Sequence, residues 1–465
     1  MKKINCFNKK TYGFIFVLVS LLITTRVVFA ESSGGGDAHG PIQTLLWMGF
    51  ILLFAMLGRF IEKAKQPPVL GELLIGVLIG NLGLIGIHFF EPIKTDVFVS
   101  FLAQIGVIIL LFQVGLESNL DTMKKVGVKA FLVAIVGVVV PFVLGTWVIG
   151  PWILPGISQN AYLFLGASLT ATSVGITARV FKDFNKLKIK EAQIVLGAAV
   201  IDDVLGLIIL AVVSALVTLG AVGIGMISWI IAKAIIFLVG SILLGKLLTP
   251  SISSFFSKIN TGVGTKITLA IVFALFYSAV AGLIGLAPIV GAFAAGLILD
   301  PVHFKYFKKP KAALDLEMQA ELTKEKEQSE KLKKMADGHT ERHIEELIEP
   351  IGHFFVPIFF VFTGISVNLE TLFNPKILLV ALAITVVAFV GKYVTGFVVG
   401  KNLNKNIIGF GMVPRGEVGL IFATMGMSLG VLSDELFSVI VAMVILTTIF
   451  TPPILAYFLK KESAK

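Results

Sequence analysis

The sequence predicts an all-α polytopic membrane protein, and two properties of the chain carry that prediction. Of its 465 residues 56% are hydrophobic and 15% are charged, whereas soluble domains carry roughly 45 to 50% apolar and about 25% charged residues. Several segments of about 20 residues contain few or no charges, enough to cross a hydrocarbon core of roughly 30 Å as a helix. The chain has too little polar surface for a soluble globule.

Residues 1–30 have the pattern of a secretory signal peptide. Basic residues precede an apolar run, and Val28 and Ala30 provide small residues before a polar stretch, as at a cleavage site. The alternative, an uncleaved first span, is disfavoured because Arg26 interrupts an apolar run that is already short. Cleavage after Ala30 would remove Cys6, the only cysteine. A mature chain without cysteine has no disulfide, thiolate chemistry or cysteine-ligated metal.

The hydropathy predicts thirteen membrane spans in the rest of the chain. They cover residues 41–61, 67–86, 96–115, 126–149, 161–181, 192–219, 226–248, 266–286, 288–300, 350–369, 376–400, 406–431 and 434–459. The predicted domains are a first membrane half (41–300), a cytoplasmic polar insertion (301–349), a second membrane half (350–459) and a cytoplasmic tail (460–465).

Two observations predict the same orientation in the cell membrane. A cleaved signal peptide leaves the mature N-terminus outside, and an odd number of spans then places the C-terminus in the cytoplasm. Independently, the loop lysines concentrate in the connections assigned to the cytoplasm, and those assigned to the outside hold only Lys94 and Lys376. The net charge of +10 therefore comes largely from lysines in the connections assigned to the cytoplasm. We expect the lipid bilayer, and no nucleic acid, as a partner.

The polar insertion is rich in strong helix formers, with Glu and Lys mixed at three- and four-residue spacing. This pattern predicts a solvated cytoplasmic helix or helical hairpin. His303, His339 and His343 lie in it, and imidazole titrates near neutrality, so a pH-sensing role is one interpretation. A tolerated polar insertion is the simpler one, because nothing in the sequence buries these histidines.

Few charges are expected at mid-membrane depth, and the clearest are Asp202 and Asp203 in span 6. At least eight uncharged residues flank the pair on each side. Adjacent residues project about 100° apart on a helix, so one carboxylate can face a cavity while the other reaches a neighbouring helix. Two buried carboxylates are difficult to keep ionised together, so a proton and a metal cation would compete for their oxygens. A purely structural pair, capped or salt-bridged, is the alternative.

Lys392 in span 11 is the second intramembrane charge. It lies nine residues from Lys401, which corresponds to a depth of about 14 Å from the cytoplasmic side. Asp202 lies twelve residues from Lys190 on a helix that enters from the same side, at about 18 Å. These depths permit an ion pair between Lys392 and Asp202, although a snorkelling or structural lysine is the alternative.

Two spans have the composition of broken helices. Span 5 concentrates hydroxyl residues that include Thr172 and Ser173, and span 12 places Pro414 and three glycines around Arg415 and Glu417. Both segments can unwind and offer carbonyls or helix ends to an ion, although interhelical hydrogen bonds and a simple kink are the alternatives. Spans 5 and 12 are seven apart and run in opposite directions. That spacing predicts an inverted repeat of spans 1–6 and 8–13, with discontinuous helices at the substrate site.

Four segments carry a resemblance to a known family: VIDDVLGLI in span 6, TATSVGITAR in span 5, GMVPRGEVGLI in span 12 and LAQIGVIILLFQVGLE in span 3. The chain resembles the monovalent cation/proton antiporter-2 family and, within it, the NapA type of sodium/proton antiporter. The likeness runs from Pro41 to Leu459 apart from the insertion. It implies an inverted-repeat fold like that of NhaA and NapA, with spans 4, 5, 6, 11, 12 and 13 as a mobile core. Spans 1, 2, 3, 8, 9 and 10 would form a scaffold that makes a homodimer.

The resemblance also implies roles for individual residues. Asp203 matches the essential carboxylate that binds cation and proton, and Asp202 matches an aspartate that pairs with the lysine matched by Lys392, so both would be Na⁺ ligands. Thr172 and Ser173 match the unwound stretch beside the site, and Pro414, Arg415 and Glu417 match its counterpart. Potassium-efflux relatives usually have Gln in place of Asp202 and a large soluble regulatory domain. Asp202, and the chain end six residues after Leu459, count against that interpretation.

We therefore expect a transporter and not an enzyme. It would exchange Na⁺ or Li⁺ for H⁺ by alternating access, electrogenically and without a cofactor, in pH and sodium homeostasis. The alternatives are a K⁺/H⁺ antiporter on the same scaffold, a non-transporting membrane sensor and a channel. An intramembrane protease is the weakest alternative, because adjacent aspartates on one helix cannot flank a scissile bond.

Overall fold

The computed structural model describes residues 41–64, 66–117, 127–219, 224–299, 307–323, 326–341, 343–400 and 402–463. The predicted signal peptide lies outside these residues. The chain divides into two compact units, Met1–Gly49 and Phe50–Lys465, and every contact discussed below lies within the second unit.

Helices account for the regular secondary structure of the described residues. The α-helices are α1 (Pro41–Gly58), α2 (Pro68–Gly80), α3 (Val97–Glu117), α4 (Val128–Val143), α5 (Ile149–Ile153), α6 (Gln159–Ser168), α7 (Val174–Asp183), α8 (Lys190–Leu219), α9 (Ile224–Ile259), α10 (Val263–Leu283), α11 (Pro288–Ile298), α12 (Lys311–Leu322), α13 (Lys326–Glu341), α14 (His343–Ile365), α15 (Leu369–Leu372), α16 (Pro375–Tyr393), α17 (Lys405–Gly411), α18 (Glu417–Ser428) and α19 (Asp434–Ser463). Short 3₁₀ segments cover Arg59–Ala64, Leu82–Ile85, Glu91–Thr95 and Val394–Phe397, and a π-helical turn covers Leu144–Val148.

The predicted fold class is confirmed. Nine helical stretches in the described part of the chain are long and apolar enough to cross a membrane, and three shorter apolar helices lie in α2, α11 and α18. The count of thirteen spans stays a prediction.

Both helices that were predicted to be broken are interrupted. α6 ends at Ser168 and α7 begins at Val174; α17 ends at Gly411 and α18 begins at Glu417. We call the intervening residues 169–173 and 412–416 the first and second breaks. Pro414 lies in the second break, where its missing N–H and its ring cannot disturb a helix.

The polar insertion forms a helical hairpin, and one histidine in it departs from the sequence-based expectation. α12 and α13 pack against each other, and the Ser329 hydroxyl donates to Ala320 O at 2.7 Å. α14 begins seven residues before the start predicted for span 10, and His343 at its first position is 7% exposed. The expectation that no histidine of the insertion is buried was therefore wrong for His343. His339 is partly exposed, and His303 lies outside the described residues.

The early start of α14 has a physical reason in the sequence. Ile344 and Ile348 lie one turn apart on the face that packs against the membrane helices, and both are buried. Apolar residues at this spacing continue the buried face of a helix into a segment that is polar on average.

The membrane helices pack in two groups. α2, α3, α10, α11 and α14 contact one another, and α4, α6, α7, α8, α16, α17, α18 and α19 contact one another. Apart from span 1, whose helix α1 is not among them, these groups contain the scaffold and core helices that the resemblance implies, and we use those names below. That the core moves stays a prediction.

The scaffold depends on close backbone contact between α3 and α11. A β-carbon at Gly296 would lie 2.7 Å from Leu116 N and 2.8 Å from the carbonyl carbon of Gly115, so only glycine fits this crossing. By contrast, a β-carbon at Gly240 on α9 would meet no atom within 4 Å.

These contacts predict that Gly296→Ala destabilises the protein by about 1–3 kcal/mol, because the helices must separate to admit a methyl group. Thermal unfolding in detergent measures the effect. Gly240→Ala is the matched control and should leave the unfolding temperature unchanged or slightly raised. Equal unfolding temperatures for the two variants would contradict the role given to this contact.

Candidate ion-binding site at the crossing of two broken helices

The two breaks cross and satisfy each other's backbone. Three hydrogen bonds join the first broken helix to the second: Ser173 N to Pro414 O at 2.8 Å, the Thr172 hydroxyl to Met412 O at 3.2 Å, and the Thr177 hydroxyl to Gly411 O at 2.7 Å. Gly411 and Met412 lie at the end of α17, where the last carbonyls of a helix have no partner within it, and Pro414 lies in the second break. The hydroxyl and backbone groups of the first broken helix thus take the place of the next helical turn.

Arg415 ties the crossing to its neighbours. Its guanidinium is fully buried and donates from Nη1 to Ala171 O at 2.8 Å and from Nη2 to Ala388 O at 3.2 Å. The Thr448 hydroxyl of α19 donates to Arg415 O at 2.7 Å. Because Ala388 lies one turn before Lys392 on α16, the arginine fixes the position of the lysine-bearing helix relative to both breaks.

Lys392 and Asp202 form the ion pair that their depths in the membrane permitted. Lys392 Nζ lies 2.9 Å from Asp202 Oδ1, and neither side chain is exposed. The Thr395 hydroxyl donates to Lys392 O at 2.6 Å. Within the described part of the chain, Asp202 Oδ2 and Arg415 Nε are buried without a hydrogen-bond partner. One carboxylate oxygen of the pair is therefore held by the lysine, and the other is not held by a described group.

Asp203 follows on the same helix and is 8% exposed. It interacts electrostatically with Lys392, and Asp202 interacts electrostatically with Arg415. The structure thus gathers two carboxylates, one ammonium and one guanidinium at the centre of the core.

The hydroxyl residues of span 5 divide into two kinds. Ser168 and Thr170 donate to carbonyls three residues earlier, at 2.7 Å each, which is the local bonding expected of structural hydroxyls. Thr172 and Ser173 are buried in the first break itself, as the sequence predicts for residues beside an ion. Glu417 is the first residue of α18, and its side chain lies outside the described part of the structure.

A cavity of about 290 Å³ separates the crossing from the scaffold. The core contributes Ser173, Ile176, Arg415, Gly416, Leu420, Val444 and Thr448, and the scaffold side contributes Pro67, Pro68, Val69, Leu70, Leu73, Leu110 and Phe360. Ser173 and Arg415 belong both to the crossing and to the cavity wall. The cavity therefore reaches the broken helices.

The donors at this site are oxygens: carboxylate, hydroxyl and backbone carbonyl. Such ligands suit a hard cation. Among the described residues no three His, Cys, Asp or Glu side chains gather in one place.

Sequence reasoning missed several residues of the site and several buried charges. Thr177 and Thr448 hold the second break, and neither stood out among the many hydroxyls of the sequence. Glu72, Lys233 and Lys266 also lie within apolar helices, so the set of intramembrane charges was incomplete. Glu72 pairs with Arg59 at 3.5 Å, Lys233 Nζ donates to Ile284 O at 3.0 Å and Lys266 Nζ donates to Lys308 O at 2.7 Å. These three charges are satisfied outside the crossing.

Comparison with known proteins identifies relatives over most of the chain. The high-affinity Na⁺/H⁺ antiporter NhaS3 of Synechocystis is 40% identical over 446 residues, which cover 88% of each protein. The Na⁺/H⁺-K⁺ antiporter GerN of Bacillus cereus is 32% identical over 88% of this chain and 95% of its own.

A solved structure supports the fold. The sodium proton antiporter MjNhaP1 from Methanocaldococcus jannaschii superposes with a TM-score of 0.56 over 90% of this chain and 99% of that one. The sequence identity of 19% limits this likeness to the fold.

The family described as "Sodium/hydrogen exchanger, transmembrane" matches residues 49–315 and 334–461. This match confirms the predicted resemblance to monovalent cation/proton antiporters, whereas the antiporter-2 and NapA assignment stays a prediction. The chain is a multi-pass membrane protein and belongs to the sodium/hydrogen exchanger family.

Proposed function

We propose that this protein exchanges Na⁺ or Li⁺ for H⁺ across the membrane by alternating access. The observation that carries the proposal is the buried cluster of Asp202, Asp203 and Lys392 beside two crossed helix breaks. Two relatives that match most of this chain are Na⁺/H⁺ antiporters, which supports the same exchange. K⁺/H⁺ exchange is not favoured.

Charge balance explains how a cation and protons can be coupled. In the proton-loaded state Asp203 is protonated, Asp202 is ionised and Lys392 and Arg415 are charged, so the described side chains of the cluster carry a net charge of +1. A Na⁺ that enters without loss of a proton raises this charge to +2 in a buried site, which costs several kcal/mol. Loss of the Asp203 and Lys392 protons instead leaves the cluster with its bound Na⁺ neutral. Cation entry is therefore favourable only when the cluster releases protons.

Two groups can supply those protons. Asp203 is proposed to exchange its own proton for the cation, because two buried carboxylates are hard to keep ionised without a cation nearby. Lys392 is proposed to release a proton from its ammonium when the cation draws the Asp202 carboxylate away from it. Release of two protons for each Na⁺ moves net charge, so the cycle is electrogenic.

The first break can complete the ligand set. The Thr172 hydroxyl uses its hydrogen on Met412 O, so its lone pairs remain available to a cation. The Ser173 hydroxyl and the backbone carbonyls of the break provide further oxygens of the kind that hard cations bind. Arg415 and Pro414 hold the second break against this stretch and position it.

The proposed arrangement in the cell follows the loop lysines. The mature N-terminus would lie outside after signal-peptide cleavage, and the C-terminus and the hairpin of α12 and α13 would lie in the cytoplasm. The scaffold would form a homodimer in the cell membrane, and the core would move against it.

Asp203→Asn should abolish exchange, because an amide cannot bind and release the coupled proton. The measurement is Na⁺- and Li⁺-dependent proton flux in reconstituted vesicles, with K⁺ as a third cation. Asp96→Asn is the matched control: Asp96 is also buried, but its carboxylate accepts a hydrogen bond from Val99 N at the start of α3. That variant should retain exchange. Cation-dependent proton flux at the wild-type rate in Asp203→Asn would contradict the role assigned to Asp203.

Lys392→Ala should make exchange independent of membrane potential, because one of the two proton-carrying groups is gone. It should also lower thermal stability, since breaking a buried ion pair costs about 3–5 kcal/mol. The measurement is Na⁺-driven flux at several imposed potentials. Lys233→Ala, which removes another intramembrane lysine, should keep the wild-type dependence. An unchanged dependence in Lys392→Ala would exclude the proton-coupling role of this lysine.

A further inference from the structure

Lys392 reaches Asp202 across the bare backbone of Gly137 on α4. A β-carbon at Gly137 would lie 3.3 Å from Lys392 Nζ, 3.6 Å from its Cδ and 3.2 Å from the Thr395 methyl carbon. Gly137, Lys392 and Thr395 are all buried. The ammonium and the end of the lysine side chain therefore occupy the space that a side chain at residue 137 would need.

We propose that Gly137 is a positioning residue for Lys392: its missing side chain leaves the space through which the ammonium reaches Asp202. This inference rests on the proposed coupling role of Lys392. A β-carbon at residue 137 would lie 3.3 Å from Nζ, so the ammonium would have to give way, and the larger side chain of a valine would displace it from Asp202.

Gly137→Val should therefore reproduce Lys392→Ala and make Na⁺-driven exchange independent of membrane potential, whereas Gly137→Ala should have a smaller effect. Gly240→Val, at a glycine whose β-carbon would meet no atom within 4 Å, is the matched control and should keep the wild-type dependence. Wild-type dependence in Gly137→Val would overturn the inference.

Thermal unfolding in a Lys392→Ala background separates contact with the lysine from general damage to α4. Gly137→Ala should lower the unfolding temperature of the wild type, and lower it little or not at all in the Lys392→Ala background, where the contact is gone. Equal losses with and without the lysine would contradict positioning. If Lys392→Ala alone leaves the potential dependence unchanged, the proton-coupling role fails; if it removes that dependence and Gly137→Val keeps it, only the Gly137 inference fails.

A different buried cluster, where the hairpin meets the scaffold, carries a second inference. Lys266 Nζ of α10 lies 3.0 Å from His343 Nδ1 and donates to Lys308 O at 2.7 Å. Lys308 N in turn donates to Thr261 O at 3.2 Å. Lys266 and His343 are 4% and 7% exposed. The lysine thus joins the start of α14 to the segment that leads into α12.

This contact selects one protonation state. An ammonium can donate to an imidazole nitrogen only where that nitrogen has a free lone pair, so His343 is neutral while Lys266 is charged. A proton on His343 would place two cations 3.0 Å apart in a buried site, where repulsion is strong.

The charged groups around His343 come from each neighbouring element. Lys266 faces it from α10, and Lys308 lies in the segment before α12. Glu346 follows on α14 and acts on His343 electrostatically in favour of a proton. His339 Nδ1 of α13 lies 3.6 Å from Glu346 Oε1, so Glu346 is shared between the two histidines. Protonation of His343 would therefore remove its contact with Lys266, and the nearby charge of Glu346 would partly offset the added positive charge.

We infer that His343 is a pH-sensitive latch between the hairpin and the scaffold. Lys266 of the scaffold contacts both Lys308 O before the hairpin and neutral His343 after it, and acidification on the hairpin side releases the contact with His343. The family match omits residues 316–333 of the hairpin, whereas Lys266, Lys308 and His343 all lie inside the match. Because Phe360 of the same helix lines the cavity beside the crossing, release at the start of α14 would act on a wall of that cavity.

Hydrogen exchange of α12 and α13 in the full-length protein tests the latch. In the wild type, intrinsic-rate-corrected exchange should accelerate several-fold as the pH falls below the range in which a solvated imidazole titrates, because the Lys266 ammonium disfavours a second positive charge beside it. His343→Asn should keep slow exchange at both, because its amide oxygen can accept from Lys266 and is not protonated. His339→Asn and His353→Asn, at exposed histidines, should respond like the wild type. Faster hydrogen exchange at acidic pH in His343→Asn, or unchanged exchange at acidic pH in the wild type, would overturn the inference.

Discussion

The structure depends on one constraint: a helix that ends inside a membrane protein must find partners for its last carbonyls. α17 ends at Gly411 in the middle of the core. Thr177 of α7 and Thr172 of the first break donate to the carbonyls of Gly411 and Met412, and the Ser173 amide donates to Pro414 O in the second break. A second broken helix provides the hydrogen-bond donors that these carbonyls need, so each break depends on the other. The two broken helices therefore form one structural unit. Hydrogen bonds between them satisfy one side of the irregular backbone, and the polar groups on its other side are available for an ion.

Arg415 links this unit to the titrating groups. Its guanidinium bonds a carbonyl of the first break and a carbonyl of α16 one turn from Lys392, so the breaks and the lysine keep a fixed distance. Its positive charge also completes the charge balance of the cluster. Without it, two ionised aspartates and one ammonium would carry a net negative charge that a bound cation neutralises, so Lys392 would not need to release its proton. The same residue thus supports the backbone geometry and the electrostatic condition for coupling.

The sequence predicted the parts of the site that depend on a single helix. The depths of Asp202 and Lys392 follow from counting residues along regular helices, and Pro414 with its neighbouring glycines marks a break without reference to other chains. What it could not predict depends on which helices are neighbours. Thr177 and Thr448 are ordinary hydroxyls until α17 and the second break are placed beside them. His343 looked solvated for the same reason, because its partner Lys266 lies 77 residues away.

The distribution of polar contacts explains how such a site could move without coming apart. The Lys392–Asp202 pair, the Arg415 bonds and the three hydrogen bonds between the breaks all join helices of the core. Across the cavity the scaffold side presents prolines, aliphatic side chains and Phe360. Apolar contacts are non-directional, so one surface can slide over another at little cost, whereas buried hydrogen bonds and ion pairs would have to break. A core that carries its own polar network past an apolar wall therefore retains the geometry of the site in every position that alternating access requires.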